Sequence, residues 1–361
     1  MTSVSTVKID MSVEPASEMR DVPPAVSIII PCRNEIDYIE DALKSILAQE
    51  SPLGGFEVIV VDGMSDDGTR PILGRLEQEN AGLRVINNPA RTTPCAMNAG
   101  IREARGRYIG IMGAHTEYAP NYIRQCVDLL EEHPEVCCSG GPILSRGKSL
   151  FGKAVAAAMS HPVGVGNAKH RFPNYEGYAE GACFPMFRKE VFEQIGFYDE
   201  TLLRNQDDDL NYRVSRSGGK IFISPRAWSR YWVRESVGRL FDQYFQYGYW
   251  RVAVLRKHGM PASWRQLVPV GFYLSMIGLL FLGKLLPGWW RLASAILPIS
   301  YGAILLGAGV GVAIREGLRV GCLFPVASSI MHVAYAAGFT WGLMRRAAGN
   351  AARLNVVEVN R

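Results

Sequence analysis

The chain has 361 residues, of which 48% are hydrophobic and 20% charged, and its net charge is +5. Its basic residues are spread along the sequence, which argues against a nucleic-acid-binding protein and suits an anionic membrane surface or phosphate-bearing substrates. Seven cysteines without a CxxC pair argue against a zinc site and against a disulfide framework.

The first two thirds of the chain alternate between predicted strands and helices. Residues 1–24 mix serine, proline and acidic residues without an apolar core, and they predict a disordered arm. Four apolar runs predict strands: Val26–Ile30, Phe56–Val61, Leu83–Ile86 and Tyr108–Met112. Helical periodicity follows the first strand, with one apolar face made of Ile36, Ile39, Leu43, Ile46 and Leu47. This alternation predicts an α/β fold with a mainly parallel sheet, whose ligands bind at the carboxyl ends of the strands.

The last third of the chain is predicted to lie in a membrane. The segments Val268–Leu286, Leu292–Ile314 and Val320–Met344 are apolar and long enough to span a bilayer, which takes about 20 residues. They define a membrane domain over residues 266–345, followed by a tail over residues 346–361. Basic residues before the first segment favour a catalytic domain on the cytoplasmic face of the plasma (inner) membrane. Three full spans would put the basic tail on the other side, against the same rule, so the orientation of the third segment stays open.

A further helix is predicted over Val237–His258, where aromatic residues interleave with arginine and glutamine. It is interpreted either as an interfacial helix beside the first span or as a helix that packs between domains. Residues 233–265 are assigned to this region, and the predicted catalytic domain covers residues 25–232.

Polar residues follow three of the predicted strands. Pro31-Cys32-Arg33-Asn34-Glu35 follows the first strand, Asp62-Gly63-Met64-Ser65 the second, and Gly113-Ala114-His115 the fourth. Each loop alone is typical of a helix cap, but all three project from one sheet edge, which favours a shared ligand. A fourth cluster, Asp207-Asp208-Asp209, is interpreted either as a helix cap or as a general base with raised proton affinity.

The ordered set of motifs resembles family 2 inverting glycosyltransferases. It comprises VSIIIPCRNE, EVIVVDGMSDDGT, NPARTTPCAMNAGI, YIGIMGAHTEYAP and NQDDDLNYRV, in that family's order and spacing. Within the family, the chain is similar to the membrane-anchored branch typified by succinoglycan-type exopolysaccharide glycosyltransferases. The resemblance implies a GT-A fold, the Rossmann-like fold of nucleotide-diphospho-sugar transferases, together with a nucleotide-sugar donor and a divalent cation.

The resemblance also implies roles for individual residues. Asp207 is the implied catalytic base, and His115 is the implied metal ligand. Binding of the donor nucleotide is implied for Pro31, Arg33, Asn34, Glu35, Asp62, Gly63, Ser65, Arg91, Asn98, Gly113 and Ala114. Supporting or acceptor-site roles are implied for Asp208, Asp209, Arg213, Gly181, Ala182, Gln246 and Trp250.

Two positions depart from the family's metal motif. Gly113 replaces its first aspartate, and His115, a better ligand for Mn²⁺ than for Mg²⁺, replaces its second, so the need for either cation stays open. Glu117 or a carboxylate of the 207–209 cluster is interpreted as the source of the missing charge. In QYGYW, which resembles an acceptor-site motif of polysaccharide synthases, Trp250 is interpreted as a sugar platform or as an interfacial residue.

The sequence therefore predicts a membrane-bound inverting hexosyltransferase of exopolysaccharide or cell-envelope glycan synthesis. Its donor is a UDP- or GDP-linked sugar, and its acceptor is a lipid-linked saccharide or a polyprenyl carrier. Two enzyme alternatives stay open, a polyprenyl-phosphate glycosyltransferase and a processive polysaccharide synthase. The non-enzyme alternative is a nucleotide-sugar-binding pseudo-transferase that acts as a membrane scaffold; Gly113 motivates this idea, and the retained Asp62 and Asp207 oppose it.

Overall fold

The computed structural model describes residues 23–261, 263–285 and 287–347. Most of the predicted amino-terminal arm, residues 1–24, and of the predicted tail, residues 346–361, lies outside the described residues. Within them, an α/β domain is followed by long apolar helices, as the sequence predicts.

An eight-stranded sheet forms the centre of the α/β domain. With those of a small second sheet, the strands are β1 (Val26–Cys32), β2 (Phe56–Asp62), β3 (Leu83–Asn87), β4 (Tyr108–Ile111), β5 (Glu117–Tyr118), β6 (Val136–Gly141), β7 (Ile143–Arg146), β8 (Gly177–Ala179), β9 (Cys183–Arg188), β10 (Lys220–Ile223) and β11 (Ser229–Trp232). The order in the large sheet is β3-β2-β1-β4-β9-β6-β10-β8. Strands β1 to β4 run parallel, whereas β9 is antiparallel to both β4 and β6. The ends of β1, β2 and β4 therefore lie side by side at one edge.

Helices cover both faces of this sheet. They are α1 (Ile39–Leu47), α2 (Thr69–Glu79), α3 (Thr93–Glu103), α4 (Tyr122–Glu132), α7 (Glu190–Ile195) and α8 (Gln206–Arg216), whereas α5 (Leu150–Met159) and α6 (Pro162–Val165) pack against the apolar helices at the end of the chain. One apolar core lies beneath α1, α2 and α4, and a second lies beneath α3, α7 and α8. In β1, Ile28 and Ile30 belong to the first core and Ile29 to the second, because successive side chains of a strand point to opposite faces.

Two local predictions were wrong near β1. The strand does not end at Ile30 but continues through Pro31 to Cys32. Its pairing with β4 ends at Ile29, so the missing N–H of Pro31 interrupts no bond of the ladder. Ile36 is not on the buried face of α1, because the helix begins only at Ile39 and Ile36 lies in the preceding turn, 43% exposed.

The small sheet connects the α/β domain to the helices that follow. Its order is β5-β11-β7, with β11 antiparallel to β5 and parallel to β7. β5 comes directly after the His115 loop, and the chain leaves β11 toward the first long helix. The second sheet thus lies between one of the predicted ligand loops and the membrane helices.

Three of the described helices are long and apolar enough to cross a membrane. The helices after β11 are α9 (Val237–His258), α10 (Val268–Leu285), α11 (Trp289–Ala293), α12 (Ile296–Glu316) and α13 (Leu318–Ala347). The candidate spans are Val268–Leu285, Arg291–Glu316 and Leu318–Arg345, close to the three predicted segments. Only 11% and 17% of the first two are buried in the protein, so their apolar faces require a hydrocarbon environment.

Helix α9 packs against α13 at backbone contact distance. A Cβ atom added at Gly248 would lie 2.1 Å from the carbonyl oxygen of Tyr335, and one added at Gly338 would lie 1.9 Å from that of Phe245. On another side, Trp250 of α9 packs against Leu202 of the α/β domain. α9 therefore joins the two parts of the protein, which favours the domain-packing interpretation of this segment.

Candidate functional site

A cavity of about 2300 Å³ extends from the carboxyl ends of β1 and β4 to the membrane helices. Most ligand pockets measure about 300–1,000 Å³, so this cavity has room for two substrates. The residues of the predicted site that line it are Pro31, Arg33, Asn34, Glu35, Gly63, Arg91, Gly113, Ala114, His115, Gly181, Ala182, Asp207 and Asp208. The residues of the predicted site that lie away from its wall are Asp62, Ser65, Asn98, Asp209, Arg213, Gln246 and Trp250.

The loops after β1 and β2 are fastened to each other. Asn34 has a left-handed backbone with φ of 56°, a conformation that asparagine tolerates better than most residues. Its side chain donates to Asp66 Oδ1 at 2.9 Å and accepts from the Asp66 N–H at 3.0 Å, and its own N–H donates to Ser65 Oγ. These bonds fix the cavity wall before any ligand binds.

Asp62 ends β2 and is buried outside the main cavity. Its carboxylate accepts from the backbone N–H of Ser65, from Ser65 Oγ at 2.5 Å and from Arg70 Nη1 at 3.0 Å. Asp62 and Arg70 line a separate cleft of about 200 Å³. The assignment of Asp62 to the nucleobase stays a prediction, and it requires the half-exposed Arg70 side chain to move aside.

Asn98 holds a cavity residue but does not reach the cavity itself. It is 2% exposed, its Nδ2 donates to the carbonyl oxygen of Tyr198, and its Oδ1 accepts from the Tyr198 N–H, both at 2.9 Å. Tyr198 lines the cavity. The structure therefore does not support direct contact between Asn98 and the nucleotide, and it gives Asn98 a positioning role instead.

The turn at Gly113 leaves little space for a side chain. The Gly113 N–H donates to the hydroxyl of Tyr118 at 2.6 Å. A Cβ atom at this position would lie 3.0 Å from the Phe184 ring and 3.1 Å from Thr116 Oγ1. An aspartate here would require Phe184 to shift, which explains physically why glycine occupies the position.

Helix α8 divides its three aspartates between different partners. Asp209 is fully buried, forms ion pairs with Arg213 at 3.0 Å and with Lys257 of α9 at 2.8 Å, and is hydrogen-bonded to His258 Nε2 of α9 at 2.8 Å. Burial raises the pKa of Asp209, but the hydrogen bonds from Lys257 and His258 and the charge of Arg213 hold it below its ordinary value. Asp209 and Arg213 therefore anchor α8 and take no part in the cavity wall.

Asp207 and Asp208 both face the cavity, with different charge partners. Asp208 forms an ion pair with Arg251 of α9 at 2.7 Å. Asp207 accepts the backbone N–H of Asp208 at 2.9 Å, and no residue in the described ranges forms an ion pair with it. Burial among the cavity walls, followed by the charge of Asp208, raises the pKa of Asp207 to about 6, although one side of the group is open to the cavity. A carboxylate with these properties suits a general base near neutral pH.

Comparisons with known proteins identify the family to which this chain belongs. Residues 27–196 match the family described as Glycosyl transferase family 2. Over 317 residues the chain is 32% identical to the succinoglycan biosynthesis protein ExoA of Rhizobium meliloti (strain 1021), and the alignment covers 86% of this chain and 93% of that protein. The chain belongs to glycosyl transferase family 2.

One further relative and one solved structure are also similar to this chain. The chain is 26% identical to a dolichyl N-acetyl-alpha-D-glucosaminyl phosphate 3-beta-D-2,3-diacetamido-2,3-dideoxy-beta-D-glucuronosyltransferase of Methanococcus voltae, over 72% of this chain and 83% of that protein. Its fold is similar to that of the mannosyltransferase PcManGT from Pyrobaculum calidifontis, solved with GDP-Man and Mn²⁺, with a TM-score of 0.57 at 19% identity. That likeness covers 89% of this chain and 87% of the other, and it confirms the predicted GT-A fold.

The protein side chains at this family 2 site can hold a cation only when a bound substrate supplies further ligands. Searched over the described residues, His, Cys, Asp and Glu side chains form no group of three that could hold an ion. His115 Nδ1 lies 3.3 Å from Glu35 Oε1, and both residues line the cavity. Two protein ligands suffice where substrate phosphates complete the coordination, and an imidazole favours Mn²⁺ over Mg²⁺. Glu117, one of the two predicted sources of the missing charge, is ion-paired with Arg230 instead.

In the QYGYW segment of this glycosyltransferase, the position of Trp250 contradicts both interpretations of that residue. Trp250 is 8% exposed and packs against Leu202, Ala253 and Val254, so it is neither a sugar platform nor an interfacial residue. Gln246 also lies away from the cavity wall. The same helix instead presents Tyr247 and Arg251 to the cavity, four residues apart and hence on one face.

The sequence analysis assigned no site role to several basic residues of the cavity wall, among them His170, Arg171, Arg251 and Arg265. Arg251 could have been found from its helical spacing to Tyr247. Arg171 and His170 lie in a segment without periodicity, and Arg265 is one of the basic residues before the first apolar segment, which predict orientation and not a site. No local pattern marks these three, because the fold alone brings them together.

Proposed function

We propose that this protein is a membrane-bound inverting glycosyltransferase that transfers a hexose from a nucleotide sugar to a lipid-linked saccharide. Its place would be exopolysaccharide or cell-envelope glycan synthesis, with the catalytic domain on the cytoplasmic face of the plasma membrane. Names of relatives support this proposal: one belongs to succinoglycan biosynthesis, and another acts on a dolichyl-linked sugar phosphate.

The observation that carries the proposal is the continuity of the cavity. One end is formed by the loops after β1 and β4, where α/β proteins of this type bind nucleotides. The other end is lined by side chains of all three candidate spans, among them Phe272, Tyr301 and Met331. Asp207 lies on the wall between the loops and the spans. A water-soluble donor and a membrane-borne acceptor could therefore meet beside Asp207 in one space.

The reaction would be a single displacement. Asp207 accepts the proton of the acceptor hydroxyl while the oxygen of that hydroxyl attacks the anomeric carbon of the donor sugar. The bond from that carbon to the nucleoside diphosphate breaks, and its electron pair leaves with the diphosphate, so the configuration is inverted. A general base positioned in this way contributes about 10²–10⁴-fold to the rate.

The leaving diphosphate would be held at the β1 and β4 loops. Glu35 and His115 are the residues that would hold a divalent cation, which would neutralise the charge of the leaving group. Arg33 and Arg91 line the same part of the cavity and add positive charge there. The loop bonds of Asn34 keep these groups in place without substrate.

The test is a transfer assay with membranes that contain the full-length protein. Labelled UDP- and GDP-hexoses are supplied in turn, and label is measured in the lipid extract for the wild type, for Asp207→Asn and for Asp128→Asn, an exposed carboxylate on α4. We expect labelled lipid-linked oligosaccharide whose new linkage has the opposite anomeric configuration to the donor. Asp207→Asn should lower the rate about 10²–10⁴-fold, and Asp128→Asn should not.

Other products would overturn the proposal in distinct ways. A single sugar on a lipid phosphate indicates a polyprenyl-phosphate glycosyltransferase, and a long polymer indicates a processive synthase. Nucleotide binding without any labelled product indicates a scaffold. Retention of the donor's configuration would exclude the single displacement.

A further inference from the structure

Three arginines in the membrane-proximal part of the cavity have buried nitrogen atoms without a partner. They are Arg171, in the short turn before β8, Arg251 of α9, and Arg265, just before α10. The Nη1 atom of each is inaccessible to solvent and forms no hydrogen bond within the described part of the chain, and the same is true of Arg251 Nε. An unpaired guanidinium N–H group that is removed from water is costly, so such groups usually bind a partner, which can be a protein group, an ordered water or a ligand.

The three arginines lie close enough to act on common neighbours. The charges of Arg251 and Arg265 both reach the hydroxyl of Tyr335 in α13, and those of Arg171 and Arg265 both reach His170. Burial, and after it the charges of Arg171 and Arg265, lowers the pKa of His170 to about 3, so this side chain is neutral at physiological pH. The positive charge of this wall therefore comes from the arginines, and His170 adds none to it.

Carboxylates neutralise this charge only in part. Asp208 pairs with Arg251 at 2.7 Å, and Glu180 pairs with Arg265 at 2.5 Å. The groups around Arg171 are Cys183 and the hydroxyls of Tyr231, Tyr244 and Tyr247, and no carboxylate among the described residues forms an ion pair with it. Asp207 also acts on Arg251 when it is ionised, so the charge that stays without a carboxylate partner is that of Arg171. Guanidinium groups match the oxygen atoms of phosphate in charge and in geometry.

The position of this cluster decides between two sources of phosphate. The donor diphosphate belongs at the loops after β1 and β4, near Arg33 and Arg91. Beyond the arginine cluster, the cavity continues along apolar and aromatic side chains of α10, α12 and α13, which are Val268, Pro269, Phe272, Tyr273, Tyr301, Ile304 and Met331. A ligand that reaches both environments has an anionic head and a long hydrocarbon chain.

We propose that Arg171, Arg251 and Arg265 bind the phosphate or diphosphate that links the acceptor saccharide to its lipid. The lipid chain then lies along the walls of α10, α12 and α13, and the saccharide extends toward Asp207. This site rests on the proposed function, because that function supplies a lipid-linked acceptor, and it adds the chemistry by which the acceptor is recognised.

The test measures binding by the detergent-purified full-length protein, without catalysis. The probes are geranylgeranyl diphosphate, the uncharged alcohol geranylgeraniol, and UDP or GDP. The variants are Arg171→Gln, Arg171→Lys and the double variant Arg171→Gln with Arg265→Gln. The matched control is Arg124→Gln, which removes the same charge from an exposed arginine on α4 that does not line the cavity. Thermal unfolding of each variant shows whether it is folded.

We expect Arg171→Gln to weaken binding of the lipid diphosphate about tenfold or more, because it removes charged hydrogen bonds. The double variant should lose more, Arg171→Lys should keep part of the affinity, and Arg124→Gln should behave as the wild type. Binding of geranylgeraniol and of the nucleotides should not change. In the wild type, the lipid diphosphate should also raise the pKa of His170, followed by NMR of its ring protons, because it neutralises the neighbouring arginines.

Several results would overturn the site. Weaker nucleotide binding with unchanged lipid binding would show that the arginines hold the donor diphosphate. Equal losses for the diphosphate and the alcohol would show an apolar pocket only, and absence of lipid diphosphate binding by the wild type would exclude the site. Failure of the proposed function looks different: arginine-dependent lipid binding would then persist in a protein that transfers no sugar to lipid.

Discussion

The two ends of the cavity are built on different principles. At the end formed by the loops after β1, β2 and β4, polar groups satisfy one another: Asn34 pairs with Asp66 on the wall, and away from the wall Asp62 pairs with Ser65 and Arg70. At the membrane end, the cationic side chains of Arg171, Arg251 and Arg265 keep nitrogen atoms without partners. The loops at the first end are therefore held together before substrate arrives, whereas the membrane end keeps guanidinium groups that a ligand can bind. We therefore expect the loops to determine the geometry of the donor and the arginines to determine the choice of acceptor.

Helix α8 lies between the two ends of the cavity and is attached to α9 through Asp209. Removing this attachment should have the largest effect of the changes that we predict. Replacing Asp209 by alanine leaves Arg213, Lys257 and His258 without their shared carboxylate. Removing one partner of a buried ion pair costs about 3–5 kcal/mol. We expect a clear fall in the midpoint of thermal unfolding, measured in detergent.

The control for this variant is Asp242→Ala, an exposed aspartate on α9. It should leave the midpoint unchanged. If Asp209→Ala is as stable as Asp242→Ala, the anchor between α8 and α9 is unimportant for stability, and the position of Asp207 is maintained by other contacts.

The difference between the two ends also explains how much of each end the sequence predicts. The donor end was predictable because apolar runs locate β1, β2 and β4, and their polar loops must then meet at one edge. Individual contacts were harder to predict. Asn98 was predicted to contact the nucleotide, but it bonds to Tyr198, which is 100 residues away along the chain. The fold, the family and the three apolar segments were confirmed, whereas the residue roles stay predictions.

The membrane end was not predictable from local patterns. Arg171 and Arg265 are 94 positions apart and meet only after the chain has folded around α9 and α13. Trp250 illustrates the same limit. An aromatic residue near a predicted span suggests an interfacial position, yet its contacts with Leu202 place it between two parts of the protein. Helical periodicity tells which residues share a face, but not what that face contacts.

The pH dependence of transfer tests a link between the two ends, because Arg251 lies at the membrane end and its charge affects the pKa of Asp207. Asp207 must be ionised to accept a proton, and its pKa is raised to about 6, so kcat/KM should rise with pH through that region and fall as Asp207 is protonated below it. The charge of Arg251 lowers this pKa. Arg251→Gln should therefore move the acidic limb of the profile to higher pH, with about tenfold loss of rate per unit of displacement on that limb.

The matched variant is Arg256→Gln, on the same helix but outside the cavity. It should keep the profile of the wild type. An acidic limb that stays in place in Arg251→Gln would mean that the limb does not report Asp207, and the assignment of the base would fail.

At the donor end, the pair of Glu35 and His115 can be tested by nucleotide binding. Calorimetry with UDP and GDP, in Mn²⁺ and in chelator, should show that Mn²⁺ strengthens binding in the wild type. His115→Ala and Glu35→Gln should each remove most of this gain, about tenfold, while binding in chelator stays the same. Glu117→Gln is the control, because Glu117 lines the same cavity but pairs with Arg230.

The two variants also separate the two roles that Glu35 can have. If Glu35 contacts the nucleotide directly, Glu35→Gln weakens binding in chelator as well, and His115→Ala does not. Binding of the wild type that is the same in Mn²⁺ and in chelator would remove the cation from the donor site.

The smallest effect is expected from replacing Arg70, because its side chain occupies the carboxylate of Asp62. Arg70 donates to Asp62 and to Asn87 Oδ1, and it is half-exposed. Exposed ion pairs contribute about 0–1 kcal/mol, so Arg70→Ala should tighten nucleotide binding by up to about fivefold, if Asp62 binds the base once it is released. In the double variant Arg70→Ala with Asp62→Asn, the gain should disappear. Weaker binding in Arg70→Ala would instead make Arg70 a ligand of the nucleotide, and the donor end would then also rely on side-chain charge, as the membrane end does.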